Sequence, residues 1–174
     1  VPHPPSLPVG GLVQPVARGL LGGRTAARNS RICLSGLLGP PTKGRSMILG
    51  LGTDIVDVER IAKMIADHGD HFLERTFTAA EIQHCQPRRE AAQHFAGRWA
   101  AKEAVMKALG TGFTKDVGWT DIEILVRPSG QPYVTLHGST RKYATSLGIG
   151  ELLITISHTR SMATATAIAL PETA

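Results

Sequence analysis

Apolar and polar positions recur with regular periods from residue 47 onward, whereas the first 46 residues carry no period. The glycine-punctuated apolar run 48–56 predicts a strand. Asp57 can cap a helix that follows it, with Ile61, Met64 and Ile65 on one face. Thr78 and Glu81 have the spacing of a capping box and predict a second, short helix. The third and longest helix is predicted over 91–109, stopped by Gly110, Thr111 and Gly112. Strands follow at 121–126 and 133–137, joined by a turn rich in Pro and Gly at 128–132. A helix over 139–147, with Gly148 just past its end, separates this hairpin from strands at 152–157 and 162–170. Helices grouped early and antiparallel hairpins late predict an α+β domain over 47–174, with an antiparallel sheet and one long central helix.

The long helix carries the most informative pattern. At about 100° per residue, Ala101, Ala104, Val105, Ala108 and Leu109 form one apolar stripe, and Trp99, Glu103 and Lys107 lie opposite. An exposed Glu103–Lys107 pair one turn apart reads as an ordinary surface pair worth roughly 0.2–0.5 kcal/mol. Trp99 and Met106 beside the charges point instead to a face that meets a ligand or another subunit. Both readings stand at this stage.

The formal charge of +5 over 174 residues invites a nucleic-acid partner, but its distribution argues against one. Residues 1–46 hold six Lys and Arg and no acid; the remaining thirteen face all fourteen acids, so 47–174 carries −1. The body has no electrostatic footprint for DNA or RNA. Cys33 falls in the leader and Cys85 in the body, which leaves the body no internal disulfide and suits a reducing, cytoplasmic setting. No apolar run approaches the roughly 18 residues that cross a bilayer, so no membrane role is expected. The Pro-, Gly-, Arg- and Ser-rich segment 1–46 is expected to be disordered. It reads as a start placed too far upstream, a cloning remnant or an organelle transit-like leader.

Asp54 stands in an otherwise apolar strand, where a carboxylate is costly unless paired or bound to a metal. It could equally sit at the strand end and cap the next helix. Together, Asp54 and Glu103 could hold Mg²⁺ through oxygen while leaving positions for water and phosphate. Gly110 to Gly112 could bring backbone N–H groups to a phosphate, or simply end the helix. Ser157, His158 and Thr159 at a hairpin tip offer hydroxyls and an imidazole, although such residues also favour turns locally. His68, His71, His84, His94 and Cys85 match no zinc-ligand spacing and read as surface histidines. Arg88 and Arg89 read as a solvated helix start or as a phosphate contact.

Four blocks, in order, carry a family resemblance. They are 50–56 with Glu59-Arg60-Ile61, 95–104 with 107–112, Gly130-Gln131-Pro132-Tyr133, and Ile156-Ser157-His158-Thr159. Together they resemble the holo-acyl-carrier-protein synthases, the small 4′-phosphopantetheinyl transferases, over nearly all of 47–170. The resemblance implies Mg²⁺-dependent transfer of the phosphopantetheine arm of coenzyme A to a serine of apo acyl carrier protein, in fatty acid biosynthesis, with release of adenosine 3′,5′-bisphosphate. It also implies Asp54 and Glu103 as metal ligands, with Glu103 helping to take the serine proton and Lys107 serving the departing phosphate. Gly110, Thr111, Gly112, Ser157, His158 and Thr159 are implied as coenzyme A contacts, with Lys107 and with Arg98 assisting. Arg88 and Arg89 occupy the neighbourhood of basic residues that approach the 3′-phosphate in the family. Arg60 and Met64 match a surface that meets the carrier, and the family's likeness to small trimers implies a homotrimer with sites at subunit boundaries. The leader has no counterpart in the family pattern.

Two other readings compete. A Mg²⁺-dependent phosphohydrolase acting on coenzyme A or a nucleotide would use the same carboxylates with water as nucleophile. An RNA-binding α+β module would expose stacking aromatics on its sheet, and the strands offer only Tyr133.

Overall fold

The computed structural model describes residues 48–112 and 114–172, so the expectation for 1–46 lies outside the described residues. The elements run β1 (Gly50–Asp57), α1 (Val58–Thr76), α2 (Ala79–Cys85), α3 (Ala91–Ala108), β2 (Ile122–Val126), β3 (Pro132–Leu136), α4 (Gly138–Ser146), β4 (Ile149–His158) and β5 (Met162–Pro171). Two antiparallel sheets form, β1-β5-β4 and the hairpin β2-β3. This is the expected α+β class, and α3 is its central helix.

β1 pairs with β5 so that Asp54 stands opposite Ala165, which on its other side stands opposite Ile156 of β4. Along β5 the alanines 163, 165, 167 and 169 are buried while the intervening residues are not, so one sheet face packs on α3. Small residues on that face let the helix come close. At Gly50 and Gly52 a Cβ would collide with the backbone carbonyls of Ala108 and Ala104 respectively. The opposite face is open: Leu51 is 66% exposed, Ile55 63% and Leu153 44%.

Three local expectations change. Helix α3 has no single apolar stripe, because Phe95 to Arg98, Ala100 to Lys102 and Ala104 to Met106 are buried almost all the way round. Met106 is therefore core and not part of an exposed face, and Trp99 is half-buried, stacked 4.3 Å from Trp119 and 5.9 Å from Phe72. The bulky groups are satisfied within the chain. Asp57 makes no side-chain cap at the start of α1, and Gly69 (φ 53°) interrupts that helix. At α4, Asp121 from outside the helix accepts from the Thr140 N–H and the Ser139 hydroxyl, both at 3.1 Å. Local sequence suggested Ser139 as the cap; the carboxylate comes from 18 residues away. The capping box at α2 forms as expected, with Glu81 accepting from the Thr78 N–H at 2.7 Å.

Candidate active site

The residues singled out from sequence fall into two groups, divided by α3. The first gathers at the join of β1 and the C-terminal half of α3. Lys107 Nζ donates to Asp54 Oδ1 at 2.9 Å and to the Thr53 carbonyl at 2.8 Å. Glu103 lies one turn before Lys107. Burial and then the neighbouring Asp54 charge push its carboxyl above the usual carboxylate range, against opposing pulls from Lys107 and Arg60. Two carboxylates from different elements thus share one electrostatic site. Asp54 is central in β1, not at the strand end capping a helix. Lys107 bonds to the strand carboxylate and not to Glu103, its neighbour in the expected surface pair.

This donor set fits a hard divalent cation. Like-charged carboxylates held together call for positive charge, and oxygen ligands are what Mg²⁺ takes, through one or two carboxylates with its other positions left to water and phosphate. Among the described residues no group of three or more His, Cys, Asp or Glu side chains converges, so the protein's share of such an ion would be this pair.

Gly110 to Gly112 follow directly. Gly110 adopts φ +74°, and its N–H and that of Thr111 bond to the carbonyls of Lys107 and Met106 at 3.0 Å each. Those two N–H groups close the helix, so a phosphate here would meet the rest of the loop.

The second group lies on the other flank. A cavity of about 150 Å³ is lined by Gln93, His94, Arg98, Gly130, Pro132 and His158, among others. Arg98 is buried; its Nη1 donates to the His94 carbonyl at 3.2 Å, while among the described residues Nε and Nη2 meet no partner. A buried guanidinium with two orphaned donors is costly unless an anion completes it. The surroundings are electropositive. Burial, then Arg98 and Arg88, lower the pKa of His94, and the same causes lower that of His84. His94 faces His158, with ring centroids 6.2 Å apart. His94 read as a surface histidine in the sequence; the signal that could have placed it was its spacing, one turn before Arg98 on α3. Ser157 is exposed near the end of β4. Thr159 Oγ1 accepts from the N–H groups of Ser161 and Met162 at 3.3 and 3.1 Å, shaping the β4–β5 turn.

Nine residues separate Arg98 from Lys107, which is half a revolution in direction and about 13.5 Å along the axis. Asp54 and Ile156 lie in one row of the sheet two strands apart, roughly 10 Å. Gly97 packs over Ile156 and Gly52 under Ala104, so the groups flank α3 on opposite sides. Arg60 and Met64 stand on α1, exposed and half-buried; the Arg60 charge reaches Glu103, and Met64 lines a cavity with Trp99 and Trp119.

The chain belongs to the 4′-phosphopantetheinyl transferase superfamily, whose pattern matches residues 50–166 and so spans the sheet, the central helix and both flanks. It is 47% identical over 122 residues to the holo-[acyl-carrier-protein] synthase of Koribacter versatilis, covering 70% of this chain and 98% of the relative. The fold agrees with the holo-[acyl-carrier-protein] synthase of Neisseria meningitidis (TM-score 0.67, 31% identity, 71% of this chain and 98% of that one). It also agrees with the Helicobacter pylori synthase in complex with coenzyme A (TM-score 0.62, 33% identity, 68% and 98%). No helix among the described residues is long and apolar enough to cross a membrane.

Proposed function

We infer that the chain transfers the 4′-phosphopantetheine arm of coenzyme A to a serine hydroxyl of apo acyl carrier protein, releasing adenosine 3′,5′-bisphosphate. The observation that carries this reading is the convergence of Asp54, Glu103 and Lys107, from two elements of a chain in this family, at one electrostatic site. Asp54 and Glu103 would hold Mg²⁺, which when bound offsets pyrophosphate charge and acidifies water. Glu103, its proton affinity raised by burial and Asp54, accepts the serine proton directly or through water. The serine oxygen bonds to the phosphorus that carries the arm as the bond to the nucleotide phosphate breaks. Lys107 neutralises the charge left on that nucleotide. Arg98, with His94 and His158, completes itself on a phosphate of the nucleotide.

The two groups flank α3 on opposite sides, which supports a homotrimer in which each centre takes the carboxylate flank of one copy and the Arg98 cavity of the next. The open sheet face with Leu51, Ile55 and Leu153 is the apolar surface such an assembly would cover. Arg60, whose charge reaches Glu103, and Met64 one turn further along α1 receive the acidic carrier. Cys85, a free buried thiol, agrees with work in the cytoplasm.

The test is the intact mass of apo carrier protein after incubation with coenzyme A and Mg²⁺. A gain of one phosphopantetheine supports the transferase. Coenzyme A hydrolysis that proceeds without carrier supports the phosphohydrolase instead. For the shared site, mixing an Arg98→Met chain with a Lys107→Ala chain should regain activity that neither has alone; no regain would place both groups in one copy.

A further inference from the structure

Lys102 and Glu81 are fully buried and charged, yet neither belongs to the reacting site. Lys102 Nζ lies 2.8 Å from Glu81 Oε2 and donates to the carbonyls of Trp119 (2.7 Å) and Ile122 (2.6 Å). An ammonium has three donors, and all three are used. Glu81 is equally occupied: Oε2 also accepts from the Thr78 N–H, and Oε1 accepts from the Ile124 N–H at 3.0 Å. One buried ion pair therefore grips α3, the start of α2 and two successive inward-facing residues of β2.

A buried pair of this kind adds little stability over well-packed apolar residues, because desolvation offsets the attraction. Its directional bonds do something apolar packing cannot, which is to fix the register of β2 against α3. β2 pairs with β3 from Ile122–Leu136 to Val126–Pro132. The far end of that hairpin supplies Val126, Gly130 and Pro132 to the cavity that holds His94, Arg98 and His158. α3 supplies a second wall through Gln93, His94, Gly97 and Arg98, and β4 adds Ile156 and His158. The ion pair sits where the two walls are fastened together.

We propose that Lys102 and Glu81 are positioning residues for coenzyme A binding, setting the β2–β3 hairpin at the distance from α3 at which the Arg98 cavity fits its ligand. The inference rests on the reading of that cavity as a nucleotide subsite. It assigns no chemical step to either side chain.

Lys102→Met alone strands a buried carboxylate and should lower Tm sharply. Lys102→Met combined with Glu81→Gln removes the stranded charge, so Tm should recover in part, the Trp119 and Ile122 carbonyls remaining unpaired. Affinity should not recover. Calorimetry is expected to show coenzyme A bound about tenfold more weakly by the double variant, as for a wall misplaced by a fraction of an ångström. The KM for coenzyme A should rise with it, kcat at saturating coenzyme A should hold, and Mn²⁺ affinity should match that of the natural chain. A double variant that recovers Tm and binds coenzyme A normally overturns the proposal and leaves the pair a purely structural one. Should the double variant not fold, amide exchange on the natural chain decides: the Ile122 to Val126 amides should be as protected without coenzyme A as with it. Protection that arises only on binding overturns the proposal. A natural chain that binds no coenzyme A at all sinks the functional reading itself.

Discussion

Lys107 Nζ sits 2.9 Å from Asp54 Oδ1, so the cation of α3 is already paired with one of the two carboxylates that would receive a metal. Glu103, one turn earlier, keeps Asp54 as a like-charged neighbour. Lys107 is thus an internal counter-ion to the site it serves. Lys107→Ala should tighten Mn²⁺ binding, because no ammonium competes for Asp54, while kcat falls by about a hundredfold for want of a charge at the leaving phosphate. Paramagnetic resonance of Mn²⁺ and steady-state kinetics read the two effects. Weaker metal binding in this variant would contradict the competition.

Glu103 carries a second consequence in its pKa. Its folded value lies above the ordinary carboxylate value of 4.5, so the ionised form is disfavoured by the fold. The stability this group contributes is present below that ordinary value and is lost as pH rises through the raised one. Glu103→Gln should therefore raise Tm at neutral pH and flatten its dependence on pH in the acid range, while activity falls by about a hundredfold or more. Thermal melts across pH beside turnover measure it. A lower Tm at neutral pH would show that the carboxylate is not strained.

At the other flank, burial and the arginines hold His94 below its usual pKa of 6.5, so it is neutral at pH 7. A phosphate arriving beside it raises that pKa again, and binding must take up protons. Coenzyme A should bind more tightly as pH falls from 7.5 towards about 6. Calorimetry in buffers of different ionisation enthalpy should report the uptake, and His94→Gln should reduce it. Arg98, Arg88, His158 and His84 are the charged or titratable groups that act on this imidazole. Burial pushes the Cys85 thiol up to about 11, well above the range measured.

Gly52 offers a mechanical prediction. A methyl group there meets the Ala104 carbonyl and comes within 2.8 Å of Lys107 Cβ. Gly52→Ala should cost roughly 1–3 kcal/mol of stability as overpacking, and should weaken Mn²⁺ binding by moving β1 off α3. Urea unfolding and metal titration test the pair of effects. Unchanged metal affinity would mean that the strand–helix spacing does not set the site.

Much of this was legible in the chain itself, for identifiable reasons. Glu81 three residues after Thr78 announced α2, because a capping box is a local device whose partners are adjacent in sequence. Gly148 and Gly110 announced helix ends for the same reason. The long-range bonds were not legible. Asp121 caps α4 across 18 residues, and Lys102 reaches Trp119 and Ile122 from α3, contacts that periodicity does not encode. The single apolar stripe expected on α3 failed because the helix is wrapped by both sheets and by α1, so almost every position is interior. Asp54 and Glu103 could be paired by chemistry, but their division from Arg98 and His158 emerges only once the sheet is laid across the helix.

Where β1 crosses α3 the two main chains touch with no side chain between them, since Gly50 and Gly52 leave nothing to interpose. The span between Asp54 and Glu103, the pair proposed to hold a metal, is therefore gauged by peptide backbone. Packing residues elsewhere in the interior can change size without altering that gauge, which ties the spacing of the proposed metal ligands to two glycines rather than to the rest of the core.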